Sequence, residues 1–395
     1  MAQVLRMGIA GLGVASTQIL PPLSNLSFIK ITAAADVRKN ALEKFREEYH
    51  AEVFDSIEEL CQSPNVDFIY LATPNQLHAR HAITAAKHGK HIVVEKPMAS
   101  TLEECEAMNA AAEKHGVKLL CGHTHSFDPP IRKMREIVKS GELGKLCMIN
   151  TWNYNEFMYR PRMKHELKTT RGVVLNQGPH QVDFVRLIGG GMVRSVRAMT
   201  GIWDSSRPHE GAYVCYLEFE NGVPATLVYS GYGFFDTAEL FWWIGEGGQP
   251  RDPETNLKGR KKIKAIGNSG EEEALKEQMR YGEKGEGEYR HLWEGERHQP
   301  FFGFTVVTCE KGDIRQSPDG LLIYDDNGKR EVSLPVGRRG REAEVEELYQ
   351  AIVNNKPVFH DGRWGEATLE VCLAILESAK ERKEIVLSHQ VPSPE

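Results

Sequence analysis

Residues 8–16 read GIAGLGVAS and join an apolar, strand-like segment to sequence compatible with a helix from about Val14. The stretch fits the pattern Gly-x-Gly-x-x-Gly/Ala, with Ser16 as the small third residue. In that pattern Gly11 permits a tight turn, and Gly13 lets a phosphate group approach the backbone at the helix N-terminus. The stretch therefore predicts a strand, a turn and a helix that bind the pyrophosphate of a dinucleotide.

The first third of the chain goes on alternating between strand-like and helix-like segments. Strand-like segments occupy residues 29–35, 66–72, 91–95 and 117–121, and helix-like segments occupy residues 40–50, 75–88 and 101–115. This alternation is typical of an α/β fold, with a doubly wound parallel sheet covered by helices. We therefore expect residues 1–126 to form a Rossmann dinucleotide-binding domain whose ligands bind beyond the carboxyl ends of the strands.

Polar residues at the predicted strand ends define the expected dinucleotide site. Asp36 ends the second strand, where a carboxylate can accept hydrogen bonds from the adenosine ribose. It favours NAD, because a carboxylate repels the 2′-phosphate of NADP. Arg38 could instead pair with that phosphate, so NADP stays open as an alternative. The predicted cofactor-binding residues are Gly11, Gly13, Val14, Asp36, Arg38, Thr73, Pro74, Asn75, His78, Glu95 and Lys96.

The stretch IVVEKPM at residues 92–98 puts a lysine directly after a buried-looking strand. Lys96 is either part of a salt-bridged turn or a catalytic lysine presented at the carboxyl end of a parallel strand. A free lysine, with a pKa of about 10.4, is a poor base at neutral pH. Burial would lower that pKa toward the ~7–8 that suits a general base. We predict a catalytic role for Lys96 and a positioning role for Glu95.

Three further stretches carry a family resemblance: ATPN at 72–75, EKP at 95–97 and RGVVLNQGPHQVD at 171–183. With the glycine pattern, they resemble the glucose–fructose oxidoreductase and inositol dehydrogenase (Gfo/Idh/MocA) family. The resemblance implies an NAD(P)-dependent dehydrogenase acting on CH–OH groups, in which Lys96 and His180 face the nicotinamide. Asn176 stands where many members carry aspartate, but an amide can still orient a hydroxyl.

We predict Lys96, His180 and Asn176 as the catalytic residues. Either Lys96 or His180 would accept the proton of the substrate hydroxyl. Asn176 and His180 are four residues apart and would share one helix face. Alternatively, His180 has only a structural role, as a helix histidine paired with Asp183. The family resemblance is also compatible with a cis peptide bond between Lys96 and Pro97.

Segments of the second half resemble one branch of the family, the phthalate 4,5-cis-dihydrodiol dehydrogenases: residues 159–162, 196–201, 229–232 and 304–310. This resemblance implies a phthalate-type cis-dihydrodiol as substrate. Arg160 and Arg162 could clamp its carboxylate, unless both lie in a surface loop. The predicted substrate-binding residues are His123, Tyr154, Tyr159, Arg160, Arg162, Asn176 and His180.

Two other functions stay open at the level of sequence. The wider family and the Asn-Gln-Gly at 176–178 also fit a sugar or glycoside 3-dehydrogenase, which could work in a redox-neutral way with tightly bound NAD. A non-catalytic NAD(P)-sensing regulator is a remote third possibility. It would need the dinucleotide site but not Lys96.

Beyond residue 126 the alternation stops, and residues 127–395 are expected to form an α+β substrate-binding domain. Strand-like segments cover residues 145–154, 193–203, 211–219, 225–232 and 240–245, and helix-like segments cover 130–140, 179–188, 342–354 and 365–382. Residues 246–300 form a charged, glycine-rich insertion, which is either a surface excursion or a lid or arm. The family resemblance implies a largely antiparallel sheet that supports a homo-oligomer.

Composition narrows the range of partners and locations. The chain has 395 residues and a net charge of −6, so no basic surface suggests nucleic acid or a membrane as partner. No apolar stretch approaches the roughly 18 residues of a membrane helix, and the N-terminus lacks signal-peptide features. The seven scattered cysteines predict free thiols in the cytoplasm, and no His/Cys spacing indicates a metal site.

Overall fold

Two β-sheets, one of six strands and one of nine, organise the chain. The computed structural model describes residues 3–163, 172–266, 269–285, 297–338 and 340–393. Within that part of the chain, no helix is both long and apolar enough to span a bilayer. All seven cysteines are unpaired, as predicted, whereas the cytoplasmic location inferred from them stays a prediction.

The first sheet is parallel throughout. Its strands are β1 (Leu5–Ala10), β2 (Ile29–Ala35), β3 (Glu52–Phe54), β4 (Phe68–Leu71), β5 (His91–Glu95) and β6 (Leu119–Gly122). They lie in the order β3-β2-β1-β4-β5-β6, and every neighbouring pair is parallel. All four residues of β4 are buried, as expected for a strand covered on both faces. The predicted doubly wound α/β fold is confirmed.

Helices cover this sheet on both faces. They are α1 (Val14–Ser24), α2 (Lys39–Tyr49), α3 (Ile57–Gln62), α4 (His78–Lys87) and α5 (Leu102–His115). The short elements β3 and α3 were not predicted, because three and six residues are too few to display a clear hydrophobic period.

The second sheet is built from later parts of the chain. Its strands are β7 (Leu146–Tyr154), β8 (Val193–Gly201), β9 (Ala212–Phe219), β10 (Pro224–Ser230), β11 (Phe304–Cys309), β12 (Gly312–Ser317), β13 (Gly320–Asp325), β14 (Gly328–Ser333) and β15 (Ile385–Val386). They lie in the order β14-β13-β12-β11-β7-β10-β9-β8-β15. Only β7 and β10 pair in parallel among these described strands, so the expected antiparallel character is confirmed.

The remaining helices are α6 (Pro129–Ser140), α7 (Val173–Asn176), α8 (Gly178–Gly189), α9 (Thr255–Ala265), α10 (Ser269–Gln278), α11 (Gly340–Val353) and α12 (Gly362–Glu381). The expectation of a strand at residues 240–245 is wrong. A 3-10 helix, Thr237–Phe241, occupies part of that stretch, and Trp242 and Trp243 follow it with φ of 58° and 54°. Those left-handed conformations are incompatible with an extended strand.

The last helices return to the first sheet. The backbone N–H of Cys121 on β6 donates to the carbonyl of His360 at 2.8 Å, just before α12 begins. α12 then packs against both α5 and β8, while α11 packs against α1. The division between residues 126 and 127 stays a prediction, since the C-terminal helices help to cover both sheets.

A buried polar group joins α8 to α12. The indole Nε1–H of Trp364 donates to Oδ1 of Asp183 at 2.5 Å. The guanidinium of Arg186 lies 3.9 Å from the Trp364 ring and donates to Thr368 Oγ1 at 2.8 Å. Burial lowers the pKa of Arg186 to about 10. The group fixes α8 to the core because each charge there depends on a partner for its burial.

Replacing Trp364 with phenylalanine should therefore destabilise the fold. Asp183 would lose its Oδ1 donor, while its Oδ2 has no partner among the described residues. We expect the free energy of unfolding, measured by urea denaturation, to fall by about 1–3 kcal/mol. Trp203→Phe is the matched control, since Trp203 is 71% exposed, and should change it by less than ~0.5 kcal/mol. Equal effects of the two substitutions would contradict the role given to the Trp364 indole.

Candidate active site

The turn after β1 has the geometry of a phosphate-binding loop. Gly11 has a φ of +91°, and a Cβ there would lie 2.7 Å from the carbonyl oxygen of Ala72, so only glycine fits. A Cβ built on Gly13 meets nothing within 4 Å, which leaves open space beside the backbone. This is the arrangement that a pyrophosphate needs.

The N-terminus of α1 faces that space. The helix begins at Val14, and no side chain caps its first N–H groups, so they can donate to an anion. Ser16 is fully buried, and its hydroxyl donates to the carbonyl of Gly11 at 2.6 Å. The small third residue thus ties the helix to the turn. These residues fit the pyrophosphate of NAD.

Asp36 and Arg38 lie at the end of β2, beside this loop. The Asp36 carboxylate accepts from the N–H of Leu12 at 2.6 Å and from the N–H of Arg38 at 2.8 Å. The Arg38 guanidinium turns inward and donates to the carbonyls of Leu12 and Tyr281. Burial lowers the pKa of Arg38. Arg38 is therefore engaged by protein acceptors, which disfavours its predicted alternative role as a 2′-phosphate ligand.

The loops after β4 and β5 are held together by His78. Its Nε2 lies 2.8 Å from the carbonyl of Thr73, and its Nδ1 lies 3.1 Å from the carbonyl of Pro97. The ring is 1% exposed, so a direct contact between His78 and a dinucleotide is not supported. Pro74 and Asn75 lie nearer the surface, where Asn75 begins a 3-10 turn.

Lys96 follows β5 immediately and points toward the second sheet's helices. Its Nζ donates to the backbone carbonyl of Asn176 at 2.6 Å, and the Lys96–Pro97 bond is cis. Burial lowers the pKa of Lys96 to about 8. The Glu95 carboxylate opposes this shift and the Arg341 guanidinium adds to it. A substantial fraction of Lys96 is therefore neutral near physiological pH.

A break between α7 and α8 supplies the acceptor for Lys96. α7 ends at Asn176, α8 begins at Gly178, and the N–H of His180 bonds to the carbonyl of Gln177 at 3.2 Å. Pro179 has no N–H to offer the preceding turn. The carbonyl of Asn176 lies at this break, where it accepts from the Lys96 ammonium at 2.6 Å and from Nε2 of Gln177 at 3.5 Å. The prediction of one helix face shared by Asn176 and His180 is corrected, because the two residues lie on either side of the break.

A charged group that sequence reasoning missed lies beside Lys96. Glu95 pairs with Arg341 and accepts from the hydroxyl of Tyr70 at 3.1 Å. The same hydroxyl lies 3.0 Å from Oε2 of Glu344, which is fully buried. Burial raises the pKa of Glu344 to about 7, against the opposing charge of Arg341. No sequence motif identifies Arg341 and Glu344 as site residues, because both lie near the start of α11, far along the chain from Lys96.

His180 lies in an aromatic corner near Lys96. Its ring centre is 5.0 Å from that of His125 and 5.1 Å from that of Phe302. Burial lowers the pKa of His180 well below its usual value, and the charge of Lys96 adds to the shift. Nδ1 of His180 has no hydrogen-bond partner among the described residues. A neutral imidazole with an unused nitrogen can donate to or accept from a substrate hydroxyl.

His123 is packed more deeply than predicted. It is 1% exposed, and within the described ranges neither ring nitrogen has a partner. Burial lowers its pKa to about 4. The structure brings His125, not His123, into contact with His180. The substrate-binding prediction for His123 is therefore not supported by its position.

The two arginines predicted as a clamp differ in their surroundings. Arg160 pairs with Glu156 at 3.0 Å and lies 3.8 Å from Glu246, with 36% of its side chain exposed. Its charge lowers the pKa of Lys96, which shows that it belongs to the same electrostatic environment. Both guanidinium groups lie over the Phe157 ring, Arg160 at 5.4 Å and Arg162 at 4.4 Å from its centre. The carboxylate clamp formed by the two arginines therefore stays a prediction.

Tyr154 and Tyr159 line a separate cavity of about 480 Å³ with Trp203, Asp204 and Arg260. The hydroxyl of Tyr159 donates to Asp204 at 2.6 Å. Along β7, Thr151 faces α8, so Tyr154, three residues on, lies on the opposite face of the sheet. Tyr154 is therefore corrected from a substrate contact near Lys96 to a residue of this outer cavity. Tyr159 lines the same cavity, and its contact with substrate stays a prediction.

One group of described residues has the proximity of metal ligands. Oxygen and nitrogen atoms of Glu106, Glu366 and His389 lie within 4.8 Å of one another. Asn109 donates to Glu366, and His389 contacts Glu370 at 3.0 Å, so ordinary hydrogen bonds account for the grouping. The group involves α5, α12 and the C-terminal segment rather than the strand ends that carry Lys96.

Comparisons with known proteins agree with this geometry. Residues 5–123 match the model of an oxidoreductase family with an NAD-binding Rossmann fold, and residues 131–249 match the GFO/IDH/MocA C-terminal domain. A curated relative is 1-carboxy-3-chloro-3,4-dihydroxycyclohexa-1,5-diene dehydrogenase of Comamonas testosteroni, 37% identical over 380 residues and 95% of each chain. Myo-inositol 2-dehydrogenase of Thermotoga maritima is 28% identical over 195 residues, 49% of this chain and 58% of its own.

A solved structure extends the similarity to the whole chain. A Bordetella bronchiseptica RB50 protein described as a dehydrogenase superposes with a TM-score of 0.91 at 38% identity, covering 98% of this chain and 100% of that one. The predicted resemblance is confirmed across both sheets. The chain belongs to the Gfo/Idh/MocA oxidoreductase family, and its first sheet is the NAD-binding Rossmann fold of that family.

Proposed function

We propose that the protein oxidises a secondary ring alcohol of a carboxylated cis-dihydrodiol, with NAD as the hydride acceptor. The observation that carries the proposal is the proximity of Lys96, whose pKa is about 8, to a neutral His180 beyond the strand ends of the dinucleotide-binding sheet. NAD, when bound, supplies the carbon that takes up the hydride.

The side chains have separate roles in this proposal. Neutral Lys96 accepts the hydroxyl proton while the carbon–hydrogen bond of the same carbon gives up its hydride, so the alcohol becomes a ketone. The Asn176 carbonyl, 2.6 Å from Nζ, orients the lysine and stabilises the ammonium that results. His180 donates a hydrogen bond to the substrate oxygen, and the Asn176 amide orients a neighbouring hydroxyl.

A carboxylate on the substrate is supported by two observations. The name of the Comamonas relative describes a substrate with a carboxyl group. Arg160 is partly exposed near Lys96, and Glu246 faces it at the long distance of 3.8 Å. A substrate carboxylate could replace Glu246 there with a shorter, bidentate contact. Arg160 alone is therefore proposed as the carboxylate ligand.

A ring polyol or glycoside is the second candidate substrate. Polar groups of Asn155, Gln177 and Tyr229 form a hydrogen-bonded chain close to the break that precedes α8. Such a chain suits hydroxyl groups better than a carboxylate. The myo-inositol dehydrogenase relative gives this alternative its support.

We also propose that the protein forms a homo-oligomer through the outer face of the second sheet. A row of apolar side chains crosses five neighbouring strands on this face. Its residues are Met199, Val214, Val228, Trp152 and Phe304. Met199, Val214 and Trp152 are 48%, 58% and 40% exposed. A flat apolar row of this kind suits a second copy of the same face related by a twofold axis.

The substrate proposal predicts a selective pattern of NADH formation, measured at 340 nm. Carboxylated cis-dihydrodiols should be oxidised at least tenfold more efficiently than the same diols without the carboxylate, because a charge-assisted hydrogen bond contributes at least roughly that factor. Arg160→Gln should remove the preference, while Arg162→Gln should retain it. Efficient oxidation of inositols or aryl glycosides, with no activity on dihydrodiols, would support the second candidate instead.

The role of Lys96 predicts a specific pH dependence. With a pKa of about 8, the neutral base is fully present above that pH, so kcat/KM for oxidation should fall tenfold per pH unit below it. Lys96→Ala should lower turnover by at least ~100-fold and abolish this slope, with NAD affinity nearly unchanged. Lys87→Ala, in α4, is the control. Near-normal turnover of Lys96→Ala would refute the assignment of Lys96 as the base.

The oligomer proposal predicts that a charge in the apolar row dissociates the assembly. Val214→Glu should shift the mass measured by light scattering to that of one chain, because a buried carboxylate would be left unpaired. Val336→Glu, at a position that is 62% exposed outside this face, should leave the mass unchanged. A single-chain mass for the unaltered protein would refute the proposal.

A further inference from the structure

We propose that residues 279–285, in the insertion of the second half, form part of the dinucleotide site, with Glu283 acting as a determinant of NAD over NADP. The inference rests on NAD binding by the first sheet and is independent of the proposed substrate. The sequence predicts this discrimination from Asp36, with Arg38 as the alternative ligand for a 2′-phosphate. The structure adds a second, distant segment to the same corner.

The backbone of this segment touches the phosphate-binding loop directly. The N–H of Tyr281 donates to the carbonyl of Gly13 at 3.4 Å. The carbonyl of Tyr281 accepts from Nη1 of Arg38 at 3.1 Å. One residue of the segment therefore contacts both the second glycine of the loop and the arginine that follows β2.

Side-chain packing fixes the segment on α2. The Tyr281 ring is 1% exposed, packs edge-on against Phe45 at 6.1 Å, and its hydroxyl donates to Glu48 at 2.9 Å. Gly282 has a φ of +87°, and a Cβ there would lie 3.1 Å from Cα of Ala41. A larger residue at position 282 would have to move away from α2. The position of the segment is thus specified by the sequence.

Glu283 adds negative charge where a 2′-phosphate would bind. Its Oε1 accepts from Asn40 Nδ2 at 2.8 Å and lies 3.6 Å from Nη1 of Arg38. Arg38 is also 3.3 Å from the Asp36 carboxylate. A phosphate entering this corner would meet the carboxylates of Asp36 and Glu283 around Arg38, whose donors face protein oxygens. The positive charge of Arg280, in the same segment, also acts on Arg38. The ribose hydroxyl of NAD brings no such repulsion.

The segment leaves room for the rest of the cofactor. The space over Gly13 is open within 4 Å of the Cβ position, although Tyr281 contacts the carbonyl of the same residue. The segment therefore lies beside the pyrophosphate position rather than in it. We therefore expect the segment to affect binding of the adenosine ribose, where NADP carries the 2′-phosphate that NAD lacks.

Isothermal titration of the purified, full-length protein with NAD and with NADP, in the absence of substrate, tests the proposal. Glu283→Gln should strengthen NADP binding by about tenfold and change NAD binding by less than threefold, because removing one charge near a phosphate is worth roughly that factor. Gly282→Ala should shift the ratio of the two affinities in the same direction by displacing the segment.

Two controls keep the result interpretable. Glu277→Gln removes an exposed charge on α10, and Gly89→Ala places a side chain at another left-handed glycine, with φ of +70° and nothing within 4 Å. Both should retain the original ratio. Equal ratios for Glu283→Gln and Glu277→Gln would overturn the proposal. Failure of the unaltered protein to bind NAD would instead refute the cofactor assignment itself.

Discussion

The hydrogen bond from Lys96 to the carbonyl of Asn176 is the contact on which the arrangement of the site depends. It joins the end of β5 in the Rossmann sheet to the break before α8, two parts of the chain that lie 80 residues apart in the sequence. The acceptor carbonyl lies at the break in the helix, where Pro179 removes a backbone donor from the following turn. The family motif at 171–183 thus has a physical meaning beyond its histidine.

Charge and burial around this bond act in a consistent direction. Burial lowers the pKa of both Lys96 and His180, and the Arg341 guanidinium reinforces the shift of each. Glu95 limits the shift of Lys96 but is itself neutralised by Arg341. The result is a base and a hydrogen-bond donor that both function near neutral pH without a metal ligand set nearby in the described part of the chain.

Sequence reasoning predicted what depends on local pattern. The glycine turn, the alternating elements and the strand-end position of Lys96 all follow from short segments, so they could be read without coordinates. Arg341 and Glu344 could not, because they reach Glu95 and Tyr70 only after the C-terminal helices return to the first sheet. Tyr154 was misassigned for a different reason: strand periodicity says which residues share a face, but not which face meets α8.

The return of the chain at His360 also has a consequence for biosynthesis. The segment from residue 340 onward supplies the arginine that neutralises Glu95 and the helices that close over β6. A nascent chain that still lacks this segment can form the glycine loop and the parallel strands, yet in it no Arg341 would oppose the Glu95 carboxylate, which raises the pKa of Lys96. Nucleotide binding can therefore precede chemical competence during synthesis, because the second depends on a segment made well after the whole parallel sheet.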